Sequence, residues 1–203
     1  MLLPQAFYAR ETLEVARDLL GKLLVREGVV LRITEVEAYR QGDTANHCRA
    51  GRTARNAAMW GPPGRAYVYL CYGLHQLLNL VTEPDGTGTA VLVRACEVVE
   101  GLATVEARRG TVRGPNMLTG PGKVGAALAL DTSWCHHPVF EPGGLECHDA
   151  PRVEGVLAGP RVGVDYARPA HRDAPWRLAV AGTRWVSHRR GLRAVGSAVE
   201  PGR

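Results

Sequence analysis

The stretch VVLRITEVEAY, residues 29–39, alternates with a period of two, the signature of a β-strand with one face turned to a core. Straight alternation puts Leu31, Ile33, Glu35, Glu37 and Tyr39 on one face, so two carboxylates and a phenol continue an apolar row. Upstream, residues 13–24 space Leu13, Ala16, Leu19, Leu20, Leu23 and Leu24 as an amphipathic helix, and Glu27-Gly28 makes the turn into the strand. Downstream, Arg40 to Gly64 shows no periodicity, and a loop that long in a compact domain is functional or disordered. Tyr67–Leu70 and Leu77–Val81 then read as a hairpin with residues 71–76 at its tip. GTAVLVRACEV is a further strand. Residues 98–109 read as a helix ending at Arg108-Arg109-Gly110, and GPGKVGAALAL as another helix. GPRVGVDYA and WRLAVAGTRWVSHR read as late strands. Helices and strands do not alternate regularly. The pattern therefore predicts an α+β fold: one domain over residues 1–203, with a curved, mostly antiparallel sheet, flanking helices and a protruding β-hairpin.

Bulk properties narrow the setting. With 45% hydrophobic and 22% charged residues in 203, the chain has a soluble globular composition. No apolar run reaches the length of a membrane span, and the N-terminal leucines are interrupted by Glu11, Glu14, Arg17 and Asp18, unlike a signal peptide. A cytoplasmic protein with no membrane partner is expected. A net charge of +5 leans towards an anionic partner, although a GC-rich coding sequence explains the preference for arginine over lysine equally well. Five cysteines without a CxxC pair argue against a disulfide framework.

Four places carry chemistry. Tyr67, Tyr69 and Tyr72 crowd one hairpin; rings at such a place either cover a core or stack on bases, with the tip ring acting as a wedge. In EVEAY, a carboxylate in a dry cleft can serve as a general base that aligns a water, whereas a solvated strand end would do nothing. GPGK lacks the GxxxxGK[ST] spacing of a nucleotide loop, yet free backbone N–H groups and Lys123 at a helix start could hold one phosphate. Cys135, His136, His137, Cys147 and His148 match no zinc spacing, and no GxSxG marks a serine nucleophile. No metal and no cofactor are expected.

ITEVEAYRQGDTANHCRAGRTARNAAMWGPPGRAYVYLCYGLHQLLNLV, followed by VLVRACEVVEG, LTGPGKVGAALAL, RVGVDYA and WRLAVAGTRWVS, closely resembles the alkyladenine (3-methyladenine) DNA glycosylase family from about Leu13 to Ser187. The resemblance implies a fold of the kind just described and a role for individual residues. Glu37 corresponds to the carboxylate that activates the attacking water. Arg94 and the main-chain carbonyl of Val162 correspond to the other groups holding that water. Tyr39, His47 and Tyr69 correspond to the pocket around a flipped purine, with the His47 backbone N–H reading the six-position. Asn79 corresponds to the side chain opposing a 2-amino group, Tyr72 to the intercalating wedge, and Arg52, Thr53 and Lys123 to segments meeting the DNA backbone. The tip Gly73-Leu74-His75 and the short segments 52–55 and 109–123 depart from the family where substrate breadth and DNA grip are tuned.

The implied partner is double-stranded DNA containing damaged purines, bound by a monomer. Extruding the base costs a few kcal/mol, and an oxocarbenium-like sugar would be stabilised by the Glu37 carboxylate. With Lys22 on a helix and Lys123 assigned to phosphate, no amine is free for a lyase step, so a monofunctional hydrolase is implied. Two rivals remain: a non-catalytic nucleic-acid binding domain, and a metal-dependent phosphoesterase built on the Cys/His cluster.

Overall fold

The computed structural model describes residues 1–195; the last eight residues of the expected domain, 196–203, lie outside the described residues. Helices α1 (Gln5–Tyr8) and α2 (Thr12–Leu19) lead into β1 (Leu23–Arg26) and β2 (Val29–Tyr39). After the long loop come β3 (Ala66–Cys71), β4 (His75–Thr82) and β5 (Thr89–Glu100). Then follow α3 (Leu102–Arg109), α4 (Pro121–Ala127), β6 (Glu146–His148) and β7 (Val156–Gly159). The described chain closes with α5 (Pro169–Arg172), β8 (Arg177–Val180) and β9 (Arg193–Ala194).

All paired strands are antiparallel. Among the described residues they form one open sheet of nine strands in the order β3-β4-β5-β2-β8-β7-β9, with β1 and β6 branching from β2. With helices packed on it, this is the expected α+β architecture. No helix among the described residues is long and apolar enough to cross a membrane.

Helix α2 is shorter than its leucine spacing suggests. The Glu11 side chain caps it by accepting from the N–H groups of Leu13 and Glu14, and Val15, Ala16 and Leu19 bury its apolar face. It stops because Leu20 turns extended and Gly21 sits at φ +87°, so Leu23 and Leu24 belong to β1. Lys22 is therefore not helical. Likewise β5 runs to Glu100, and Gly101, at φ +77°, delays α3 to Leu102. The segment expected as a strand at 159–167 is instead a loop after β7. It has too few backbone partners to extend the ladder beyond Gly159.

The largest departure lies in β2. Leu31 and Ile33 face the main core, but so do Val36 and Ala38. The register between β2 and β5 skips Thr34 on one strand and Arg94 on the other, with irregularities on either side of Glu35. A one-residue step reverses which face every later side chain meets. Glu35, Glu37 and Tyr39 thus leave the face of Leu31 and Ile33 and gather on the opposite one. On β5 the same irregularity separates inward Val91 and Val93 from inward Cys96.

Candidate active site

The site lies on that reversed face. Glu35 and Glu37 are both fully buried, which for carboxylates requires compensating partners. Arg94, itself buried, sits between them, with Nη1 3.2 Å from Glu37 Oε1 and Nε 3.5 Å from Glu35 Oε1. Burial opposes the charge of Arg94, but Glu37 and then Glu35 outweigh it and hold its pKa above the usual arginine range. Glu35 also accepts from Arg177 Nη1 at 3.0 Å, from the Ser187 N–H at 2.7 Å and from the Ser187 hydroxyl at 3.0 Å. Two carboxylates and two guanidiniums therefore form a neutral, dry floor.

Glu37 is held differently. Its Oε1 accepts the Val162 backbone N–H at 2.7 Å as well as Arg94. Among the described residues, its Oε2 accepts only the Tyr39 hydroxyl, at 2.9 Å. Burial, and next the Glu37 charge, push the Tyr39 pKa well above its ordinary value, so the phenol keeps its proton and donates. A carboxylate oxygen with one donor has a lone pair left for a water. Val162 meets Glu37 through its amide, while the role that the resemblance implies for its carbonyl concerns the water. The amide is available because residues 160–167 form a loop and not a ladder strand.

That loop is pinned by Arg161, whose sequence gave no sign of a role. Its buried guanidinium lies 4.6 Å from the centre of the Tyr39 ring and pairs with buried Asp43. It also donates to the carbonyls of Ala38 at 3.0 Å and His171 at 3.1 Å.

Tyr39, Tyr67 and Tyr69 pack around one small cluster with Met59 and Ala90. The His47 ring meets Tyr69 edge-on at 4.5 Å, and its Nδ1 lies 3.0 Å from the Tyr67 hydroxyl. Burial, then Arg55 and Arg49, lower the His47 pKa. A base stacked between two rings needs them about 7–8 Å apart, twice a carbon contact. His47 and Tyr69 leave no such gap between themselves, so a base must enter beside this pair, towards Tyr39, or part the two rings. His47 stands on a cavity of about 220 Å³ shared with Thr53, Arg55, Asn56 and Tyr67. The aperiodic loop is ordered by buried asparagines. Asn56 Nδ2 donates to the carbonyls of His47 and Gly51, both at 3.0 Å, and Asn46 Nδ2 to those of Arg40 and Gly88, both at 2.9 Å. Isolated amides in a loop are the only sequence signal, and an isolated amide names no partner.

Asn79 is buried on β4, directly opposite Tyr67, with Nδ2 donating to the carbonyls of Tyr67 at 3.1 Å and Leu77 at 3.3 Å. The hairpin is tighter than expected: Cys71 pairs with His75, leaving Tyr72-Gly73-Leu74 as its turn. Tyr72 is 91% exposed at φ +50° and Leu74 78% exposed. Arg52 and Thr53 lie exposed in the loop. Lys123 stands apart, near the other side of the hairpin, with Nζ 2.5 Å from Asn116 Oδ1. The phosphate cradle expected at GPGK is mostly closed, since the N–H groups of Lys123 and Val124 both donate to the Gly120 carbonyl and Pro121 has none.

The Cys/His cluster is dispersed. Cys147 is in the main core, Cys135 Sγ donates to the Val68 carbonyl, His148 pairs with Glu146 at 2.6 Å, and His137 Nε2 faces Leu145. Among the described residues, no three His, Cys, Asp or Glu side chains converge as metal ligands.

Comparison with known proteins fits this geometry. Residues 6–184 match the family model described as methylpurine-DNA glycosylase. The chain is 63% identical over 193 residues to a protein of Nitrosococcus oceani named "Putative 3-methyladenine DNA glycosylase", covering 95% of this chain and 96% of that one. It is 55% identical over 188 residues to the "DNA-3-methyladenine glycosylase" of Arabidopsis thaliana, covering 92% and 74%. A protein of Methanocella arvoryzae with the same name as the first is 46% identical over 196 residues.

Proposed function

The chain belongs to the methylpurine-DNA glycosylase family, and from that membership we propose that it is a monofunctional DNA glycosylase starting base excision repair. In this reading its whole length is one glycosylase domain, acting as a cytoplasmic monomer on duplex DNA with alkylated or deaminated purines. The observation that carries the mechanism is the uneven environment of Glu37, whose Oε1 is filled by Arg94 and Val162 while Oε2 keeps a lone pair.

A water on Oε2 would be deprotonated or aligned by the carboxylate for attack at C1′. The Val162 carbonyl is assigned as a second acceptor for that water. As the base leaves, positive charge gathers on the sugar, and the fixed Glu37 anion in its dry surroundings stabilises it with no reorganisation. Alkylation at N3 or N7 makes the purine cationic, which weakens the glycosidic bond and suits the faces of Tyr39 and Tyr69. Asn79, fixed by two backbone carbonyls, would oppose a 2-amino group. Tyr72 would fill the gap in the stack, and Arg52, Thr53 and Lys123 would meet phosphates. Lys22 Nζ is held by Asp149 and the Ala150 carbonyl, both at 2.5 Å, which favours hydrolysis over an amine-based lyase step.

The test is a set of duplexes holding 3-methyladenine, 7-methylguanine, hypoxanthine or ethenoadenine, scored for strand breaks with and without alkali. Breaks only after alkali are expected. Breaks without it would establish a lyase, and no base release from any duplex would favour the non-catalytic binding domain.

A further inference from the structure

A second basic surface stands across the sheet from the hairpin, within one long segment free of negative charge. Between Asp173 and Glu200 the sequence has no acidic residue, while Arg184 and Arg189 stand exposed on the turn after β8. The strand registers fix where that turn lies. β5 leaves Thr89, opposite Thr82, and runs back past Leu92, opposite Asn79, towards the hairpin-tip end of the sheet. β8 climbs the same way, from Arg177 opposite Glu37 to Ala179 opposite Glu35. The turn that follows therefore emerges at the end of the sheet where Tyr72 and Leu74 project.

Intervening residues bridge the two places. Lys123 and Arg109 line a groove together with Tyr72 and Leu74. Thr119 pairs with Ala95 of β5, and Arg184 Nη2 lies 3.6 Å from where a Cβ on Gly114 would stand. Arg189 Nη2 donates to the Thr183 carbonyl, which holds the turn together. From β4 to β8 is three strand spacings, about 14 Å. One DNA strand covers that distance in about four nucleotides at a rise of 3.4 Å each.

The geometry points to the 183–189 turn as a second DNA-backbone contact, with Arg184 and Arg189 meeting phosphates of the duplex flank beyond the lesion. This rests on the reading of the chain as a DNA-binding glycosylase, which supplies the polyanion. Its effect would be on grip and footprint, not on the bond broken.

The experiment is a binding titration of the full chain on a long hypoxanthine duplex over a range of salt. Each phosphate contact contributes about 0.9 to the slope of log affinity against log salt. Arg184→Ala with Arg189→Ala should lower that slope by about 1.8, and Arg184→Lys with Arg189→Lys should restore most of it in a turn that keeps its charge. Trimming the flank on one side of the lesion should weaken the wild type and leave the alanine pair unaffected by the same cut. Arg168, exposed beside the β4–β5 turn at the opposite end of the sheet, supplies the control. A wild-type slope in the alanine pair, an equal loss in Arg168→Ala, or no recovery with lysine would overturn the assignment. Wild-type protein with no salt-dependent affinity for any duplex would instead overturn the DNA-binding reading itself.

Discussion

The floor of the pocket and the tip of the hairpin invert the usual arrangement of a folded chain in opposite directions. At the floor, Glu35, Glu37, Arg94 and Arg177 are charged and buried; at the tip, Tyr72 and Leu74 are apolar and exposed. Burying an ion pair costs several kcal/mol per charge, and its attraction repays that only with good geometry and further hydrogen bonds. Exposing a ring and an isobutyl group forgoes about 1.5–3 kcal/mol for each. Folding alone selects neither arrangement. The floor keeps its geometry through many fixed donors, whereas the tip leaves Tyr72 and Leu74 exposed. On the function proposed above, the floor would be preorganised for the reaction and the tip would be completed by the DNA.

The contrast is broken most sharply at Glu37. Glu37→Gln keeps the shape and removes the charge. It is expected to lower single-turnover excision from a hypoxanthine or ethenoadenine duplex on the order of 10²–10⁴-fold, with lesion binding retained in a titration at fixed salt. Near-native rates would remove Glu37 from the reaction.

The rest of the floor answers in stability. Glu35→Gln leaves Arg94 and Arg177 short of a counter-charge and should cost about 3–5 kcal/mol in urea unfolding. Exchanging Glu35 and Arg177 together for apolar residues of similar volume should cost less. If the single change is harmless, the four charges do not act as a unit.

At the tip the expected loss is smaller and depends on the DNA. Tyr72→Ala should weaken capture of a lesion in a well-paired duplex by about 1–3 kcal/mol, one lost stack. The defect should shrink opposite a mismatch, where extrusion is easier. Equal defects in both duplexes would make Tyr72 an ordinary contact.

The smallest effect sits between the two regions, at His47. Burial, then Arg55 and Arg49, favour its neutral form. Its titration, followed by NMR, should have a midpoint below the unperturbed value of about 6.5, and Arg55→Ala should move it back up. With the folded value below the unfolded one, the unfolded chain binds the proton more readily. Stability is then lost as pH falls from about 6.5 to the folded midpoint, and no further below it. A midpoint at about 6.5 would mean that the ring is solvated at the pocket edge.

Local periodicity made most of the fold readable. The hairpin, the long strands and α4 follow from alternation or helical spacing, and the lack of pattern in 40–64 correctly marked a loop. What stayed hidden was non-local. Gly21 and Gly101 move element ends through backbone angles that leucine spacing does not register. Residues 160–167 look like a strand, yet among the described residues no neighbour continues the ladder beyond Gly159. In the site, Glu37, Tyr39, Arg94 and Val162 do come together. Arg161, Arg177, Ser187 and Asn56 were missed because their partners are distant in sequence: Arg177 meets Glu35 across 142 positions. Nothing near an isolated arginine announces a partner that far away.

The skipped pair Thr34 and Arg94 makes β2 behave like a message with a reading frame. Upstream of the skip, odd-numbered residues face the helices; downstream, even-numbered ones do. The chemistry of the pocket is thus encoded by an offset as much as by residue identity. Substituting Thr34 by Ala or Val leaves the count intact and should be tolerated apart from the lost bond to the Trp185 carbonyl. Deleting Thr34 would restore uninterrupted alternation with Glu35, Glu37 and Tyr39 still on the pocket face and Val36 and Ala38 still inward, whereas deleting Val36 would keep the skip and turn Glu37 and Tyr39 towards the helices. Soluble yield of the two deletions against Thr34→Ala would show it: the strand should accept a change in length at the skip that keeps the frame, and fail with one beyond it that shifts the frame.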